Sequence, residues 1–260
     1  MLRKLMKYEF MATGRIVLPF FAALVVISIV NRLLAALPVS TPAIIGTIVS
    51  VILIVGIAVL TLILTLQRFR NNLLSNEGYL MMTLPVCTDR IILSKLFVAS
   101  IWSAASFIVV MLSILIMALT DFDFSELITF IRGIYELFAS NPLHSVIYVI
   151  EFTVIAALTL FAGILMLYAC MSLSMLVNKR RGLFTFGAFV VISTSLQILF
   201  AIVGSIAVFL DINVWFNNLD LAQFGLSQVV IINVLVIEAV LCALFYLITR
   251  YMLKNRLNLQ

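Results

Sequence analysis

The chain has 260 residues, 65% of them apolar and only 10% charged, with a net charge of +5 and a mean hydropathy of +1.27. A water-soluble domain carries about 25% charge, so a soluble enzyme is excluded. Several runs exceed the ~20 apolar residues that cross a bilayer, which predicts an all-α integral membrane protein. The basic residues flank those runs rather than forming a patch, which argues against a nucleic-acid partner.

Met1–Met11 places Leu2, Leu5, Met6 and Phe10 near one helical face and Arg3, Lys4 and Lys7 opposite. That pattern predicts an interfacial helix with its cations toward anionic headgroups. A first span is predicted over residues 16–37, with Pro19 in its first turn, where a missing N–H costs least. Asn31 and Arg32 fall near its far end, close enough to water for Arg32 to snorkel. Pro38–Pro42 make a tight turn into a second span, 43–66. Gly46 and Ser50 form a small-xxx-small pair there, with Gly56 following, so this face is a candidate for subunit packing.

The stretch 68–95 reads RFRNNLLSNEGYLMMTLPVCTDRIILSK, and its connecting part, 68–90, is too compact for an idle loop. Asn71, Asn72, Ser75 and Asn76 supply helix-start chemistry, and a short helix from Glu77 to Leu84 stops at Pro85. Tyr79, Leu80, Met81, Met82 and Leu84 give it more apolar surface than a solvated connector needs. Such a helix suits the groove of a soluble partner; the plainer alternative is a helix lying flat on the headgroups.

The third span, 91–119, leads into residues 121–142. Asp123 and Glu126 make a capping-box-like start, and Phe124, Leu127, Ile128, Ile131, Tyr135 and Phe138 recur at helical spacing. An amphipathic helix over 124–140 on the outer face follows, ended by Asn141-Pro142; it either roofs an exit path or simply lies on the membrane. The fourth span, 145–177, is longer than a bilayer demands and must tilt or protrude. A basic turn, Asn178–Gly182, precedes the fifth span, 183–210. An outer loop with Trp215 and Phe216 follows, then the sixth span, 228–253. With both termini inside, fourteen of the sixteen Lys and Arg are internal, the exceptions being Arg32 and Arg132. The positive-inside rule therefore predicts six spans with cytoplasmic ends, in one transmembrane domain covering residues 1–260. A cleaved signal peptide is not expected, because the first apolar run is too long for an h-region.

No GxxxxGK[ST] loop, HExxH or GxSxG occurs, so nothing marks a nucleotide-binding or hydrolytic site on this chain. GLSQ at 225–228 lacks paired glycines and falls in an outer loop. His144 is the single histidine, and Cys87, Cys170 and Cys242 are too scattered for a disulfide framework or a metal site. All five prolines lie at span ends or outside spans, unlike the broken mid-membrane helices of gradient-driven carriers. Glu238 lies near mid-depth of the sixth span, where a charge costs roughly 3 kcal/mol unless paired or hydrated. Ser193, Thr194, Ser195 and Gln197 lie at comparable depth in the fifth. Ser193, Ser195, Gln197 and Glu238 line a translocation path, or Glu238 is protonated and hydrogen-bonded to a neighbouring helix.

With the six-span layout, Glu77-Gly78 before Tyr79-Leu80-Met81-Met82-Thr83-Leu84-Pro85-Val86, and Arg90 and Lys95 beyond, resemble the coupling region of permease subunits of ATP-binding-cassette exporters of the second type, commonly E…GTLE.LL..PV.R…..K. The N-terminal LRKLMKYEFMATGRIVLP resembles a Firmicutes branch associated with antibiotic or bacteriocin-type peptide export. The match is in residue detail only over these two stretches, and it departs at Thr-Leu-Glu, where this chain is apolar. The resemblance implies an N-terminal elbow helix and a cytoplasmic coupling helix between spans two and three. It implies ATPase contacts at Glu77, Gly78, Tyr79, Leu80, Met82, Leu84 and Pro85, with a second permease subunit, identical or a sister, completing one path. ATP and Mg would sit on the partner ATPases, and this chain would hold no cofactor and perform no bond chemistry. A proton-coupled secondary carrier and a non-transporting sensor or immunity protein are the competing functions.

Overall fold

The computed structural model describes residues 2–35, 40–73, 88–118, 128–129, 132–133, 135–136, 138–139, 142–177, 180–209 and 223–255. Six long helices lie within them: α1 (Leu2–Ala35), α2 (Ser40–Leu73), α3 (Thr88–Ala118), α4 (Pro142–Leu173), α5 (Arg181–Phe209) and α6 (Gln223–Asn255). Each contains a stretch long and apolar enough to cross a membrane, and no strand occurs among the described residues. The architecture is that of a multi-pass helical membrane protein, in which each span satisfies its own backbone. At 32 residues, α4 is about 48 Å long against a hydrocarbon core of about 30 Å.

The chain divides into two compact units, Met1–Phe69 with Asp89–Ile150, and Arg70–Thr88 with Glu151–Gln260. In the first, α1 presents one stripe to the interior: Glu9, Thr13, Val17, Phe21, Leu24, Ser28 and Asn31 are buried, at spacings of three and four that keep them on one face. Val17, Phe21 and Leu24 meet Ile57 of α2 and Val98 and Trp102 of α3 in the core. Trp102 stacks on Phe10 with ring centroids 4.8 Å apart and lies tilted against Phe21 at 6.2 Å. Across the middle, the hydroxyls of Thr61 and Ser106 share a hydrogen bond of 2.9 Å.

Two expectations for α1 change. It runs unbroken from Leu2, so residues 2–11 are its opening turns and not a separate helix. Gly14, the weak point at which the chain could have turned, is where Trp102 rests: a Cβ there would lie 3.0 Å from the indole Cζ2. Pro19 consequently lies inside the helix rather than in a first turn, leaving the Arg15 carbonyl without its intrahelical partner. The small face of α2 is also occupied from within. Asn31 of α1 lies over Gly46, whose absent Cβ would come 2.2 Å from Asn31 Oδ1, and Ser50 is fully buried. The Asn31 amide donates to Thr47 Oγ1 at 3.2 Å. Close approach at Gly46 is thus used between α1 and α2, not kept for a second subunit.

In the second unit the later part of α4 is buried from Ala162 to Ser172 except at Gly163, Met166 and Leu167. A 3-10 turn at Ser174–Leu176 follows, closed by the Val177 N–H donating to Ser174 O at 3.2 Å. Arg180 takes a left-handed φ of 56°, and its carbonyl accepts from the Phe184 N–H as α5 begins. On α6, Phe245, Thr249 and Leu253 form a buried stripe at four-residue spacing. Pro142 is the first residue of α4, a position that suits its missing N–H. Before it, the described residues between 128 and 139 are helical. Ile128, Tyr135 and Phe138 of the predicted apolar stripe are exposed there.

Candidate functional site

The strongest concentration of chemistry in the first unit lies where the beginnings of α1 and α3 meet the end of α2. Glu9 belongs to the inward stripe of α1, and Lys95 to the most buried stretch of α3, where Ile91, Ile92, Ser94, Leu96 and Val98 are also enclosed. Lys95 is only 3% exposed, and its Nζ pairs with the Glu9 carboxylate. A lone ammonium there would cost several kcal/mol, so the carboxylate is its compensation. Lys95 Nζ also donates to the Arg68 carbonyl at 3.5 Å, and Arg68 Nη1 donates to the Glu9 carbonyl at 3.4 Å. Thr13 Oγ1 donates to the same carbonyl at 2.9 Å. Arg68 Nε is buried without a hydrogen-bond partner among the described residues. Two cations and one carboxylate therefore bind three helices together at their common end.

Arg68 lies five residues before the end of α2 and Lys95 seven after the start of α3, so the cluster brackets the connection between them. The sequence-predicted coupling residues Glu77, Gly78, Tyr79, Leu80, Met82, Leu84 and Pro85 lie outside the described residues. Sequence reasoning singled out Lys95 through its motif but missed Glu9. A signal was present: Glu9 is the single acid before residue 77, set among Arg3, Lys4, Lys7 and Arg15. An isolated carboxylate in a basic segment at an inward helical position is a marker for a buried pair.

The four residues predicted to line a path lie in the second unit. Ser193 Oγ donates to the Val190 carbonyl at 3.0 Å and Ser195 Oγ to Ile192 at 2.9 Å, so both hydroxyls are satisfied within α5. Gln197 is exposed. Glu238 of α6 accepts from Thr159 Oγ1 of α4 at 3.3 Å, and no hydrogen bond joins it to Ser193, Ser195 or Gln197 among the described residues. The structure thus groups Glu238 with α4. Cys242 Sγ donates to the Leu158 carbonyl at 3.4 Å, and Gln228 Nε2 donates to Glu151 Oε2 at 3.0 Å. The partners move from 151 and 228 to 158–159 and 238–242, so α4 and α6 run parallel with a polar seam between them. Glu151 belongs to that seam through Gln228.

Among the described residues no three His, Cys, Asp or Glu side chains converge on a metal-sized site. The described residues show a buried charge cluster at the end of one three-helix set and a polar seam in the other unit. Comparison with protein-family models, with curated proteins and with solved structures finds no match to this chain.

Proposed function

We propose that the chain is the permease subunit of an ATP-binding-cassette exporter of the second type. In this reading it sits in the bacterial plasma membrane with both termini in the cytoplasm. It moves an amphipathic substrate (a peptide, antibiotic or lipid) by alternating access. Separate ATPase subunits carry ATP and Mg and grip the Glu77–Pro85 segment, and a second permease subunit completes the path. The observation that carries the reading is the Glu9–Lys95–Arg68 cluster. It ties both flanks of that segment to each other and to α1, so a push on the segment would move three helices as one body. The exposed polar residues of α5 add support: Thr194 and Gln197 are open on a helix with no buried residue in its spanning window. In hydrocarbon such groups are costly, whereas a wet path or a second subunit satisfies them.

Purification with its chromosomal neighbours should bring an ATPase down with the chain. Tyr79→Ala with Leu84→Ala should abolish that association while the circular dichroism of the helices is retained. An intact complex in the double variant sinks the coupling assignment. Glu238, a half-enclosed carboxylate bonded only to Thr159 among the described residues, favours one competing reading, a proton-coupled carrier. Transport that follows the proton gradient, with no ATPase co-purifying, would select it.

A further inference from the structure

We infer that the first unit carries a binding groove for one acyl chain of an anionic phospholipid, from the leaflet that meets the beginning of α1. An open groove of about 290 Å³ runs between α1 and α3, lined by Met6, Lys7, Phe10, Met11, Val98 and Ile101. Its floor is Val98, buried at 3% exposure, and Met11 and Ile101 stand exposed along it. This concavity differs from the plain outer face of a span because one wall is fixed. Phe10 is held by its stacking on Trp102, and Trp102 is held by Phe21 and by contact at Gly14. A fixed apolar slot bound by ordered lipid avoids the entropy of re-forming the wall for each molecule.

Charge selects the occupant. Lys7 is the single polar side chain of the lining. It is exposed and has no hydrogen-bond or ion-pair partner among the described residues. Arg3 and Lys4 precede it by one helical turn in the sequence. Lys95, one turn before Val98 on α3, is paired with the Glu9 carboxylate, and Arg68, bonded to the Glu9 main-chain carbonyl, leaves that cluster one positive charge in excess. Lys7 on the lining and the net positive Glu9–Lys95–Arg68 cluster nearby favour a chain whose headgroup is anionic over a zwitterionic lipid or an acidic-poor protein segment. Lys7 lines the slot and is exposed, which lets its ammonium meet a headgroup while its aliphatic stem covers apolar surface, the arrangement that long cationic side chains adopt at interfaces.

The test uses Trp102 as its own reporter. The chain has two tryptophans, so Trp215→Phe leaves Trp102 alone, behind the Phe10 wall. Reconstituted into vesicles containing phosphatidylglycerol or phosphatidylcholine with brominated chains, this variant should be quenched preferentially by the anionic lipid. Lys7→Gln should lower that preference about fivefold, the factor one cation near a headgroup supplies. Arg90→Gln, which removes an exposed charge from the start of α3 but not from the slot, should change it far less. Equal quenching by both lipids overturns the inference outright. So does an equal loss in the two charge variants, which would mean diffuse attraction, or an absence of quenching by either lipid, which would mean that protein covers the slot.

Discussion

Replacing Glu9 by Gln isolates the electrostatic role of the cluster, because the amide keeps the shape and removes the charge. Lys95 would then be left 3% exposed with carbonyls but no carboxylate. Removing one partner of a buried ion pair costs about 3–5 kcal/mol, because the remaining charge stays desolvated. That is a fall of roughly 10²–10⁴ in the folding constant. Glu9→Met combined with Lys95→Met removes both charges at similar volume and should recover most of the loss, since apolar replacement of a whole buried pair is often neutral or better. Arg68 should stay in place in the double variant, because its contact is with the main-chain carbonyl of Glu9. Reversible unfolding in mixed micelles, followed by circular dichroism, measures each difference. A Glu9→Gln protein within about 0.5 kcal/mol of the parent, the range of an ordinary surface change, refutes the argument. A double variant no better than the single also refutes it, since the unpaired ammonium could then not be the cause.

Gly46→Ala should destabilise by about 1–3 kcal/mol by driving Asn31 off Thr47. In an Asn31→Ala background the same change should cost far less, and a double-mutant cycle reads the difference. Thr61→Val and Ser106→Ala should show a coupling energy of about 0.6 kcal/mol, and no more than about 1.7, the range for hydroxyls bonded between membrane helices; additive effects would deny the bond. Arg180→Gly should stabilise the turn before α5 by up to about 1 kcal/mol, because glycine takes the positive φ without a Cβ clash. A melting temperature below the parent's would contradict that.

The spans were legible because a bilayer demands a property that survives in composition: an apolar run of fixed minimum length. The ends were less so, since helices continue beyond the hydrocarbon and neither Pro19 nor Gly14 interrupts α1 as local propensity suggests. Gly14 and Gly46 look alike in the sequence as helix-weak residues, yet each is the seat of one particular side chain, Trp102 or Asn31, and no spacing rule names that partner. Glu9 was readable in principle as the isolated acid of a basic segment. Its partner was not, because Lys95 is 86 positions away and only packing brings them together. The polar seam of α4 and α6 escaped for the same reason: depth along a span is readable, but the facing helix is not.

The antiparallel pair α1 and α2 is tied at both extremities, Glu9 to Arg68 and Asn31 to Thr47, and the two sets of partner numbers add to nearly the same total. The ties are separated by about 33 Å of helix. Slipping either rod lengthwise would unseat both polar fastenings together. A motion that keeps both fastenings must therefore swing or twist the two rods jointly, as a girder turns on its bearing.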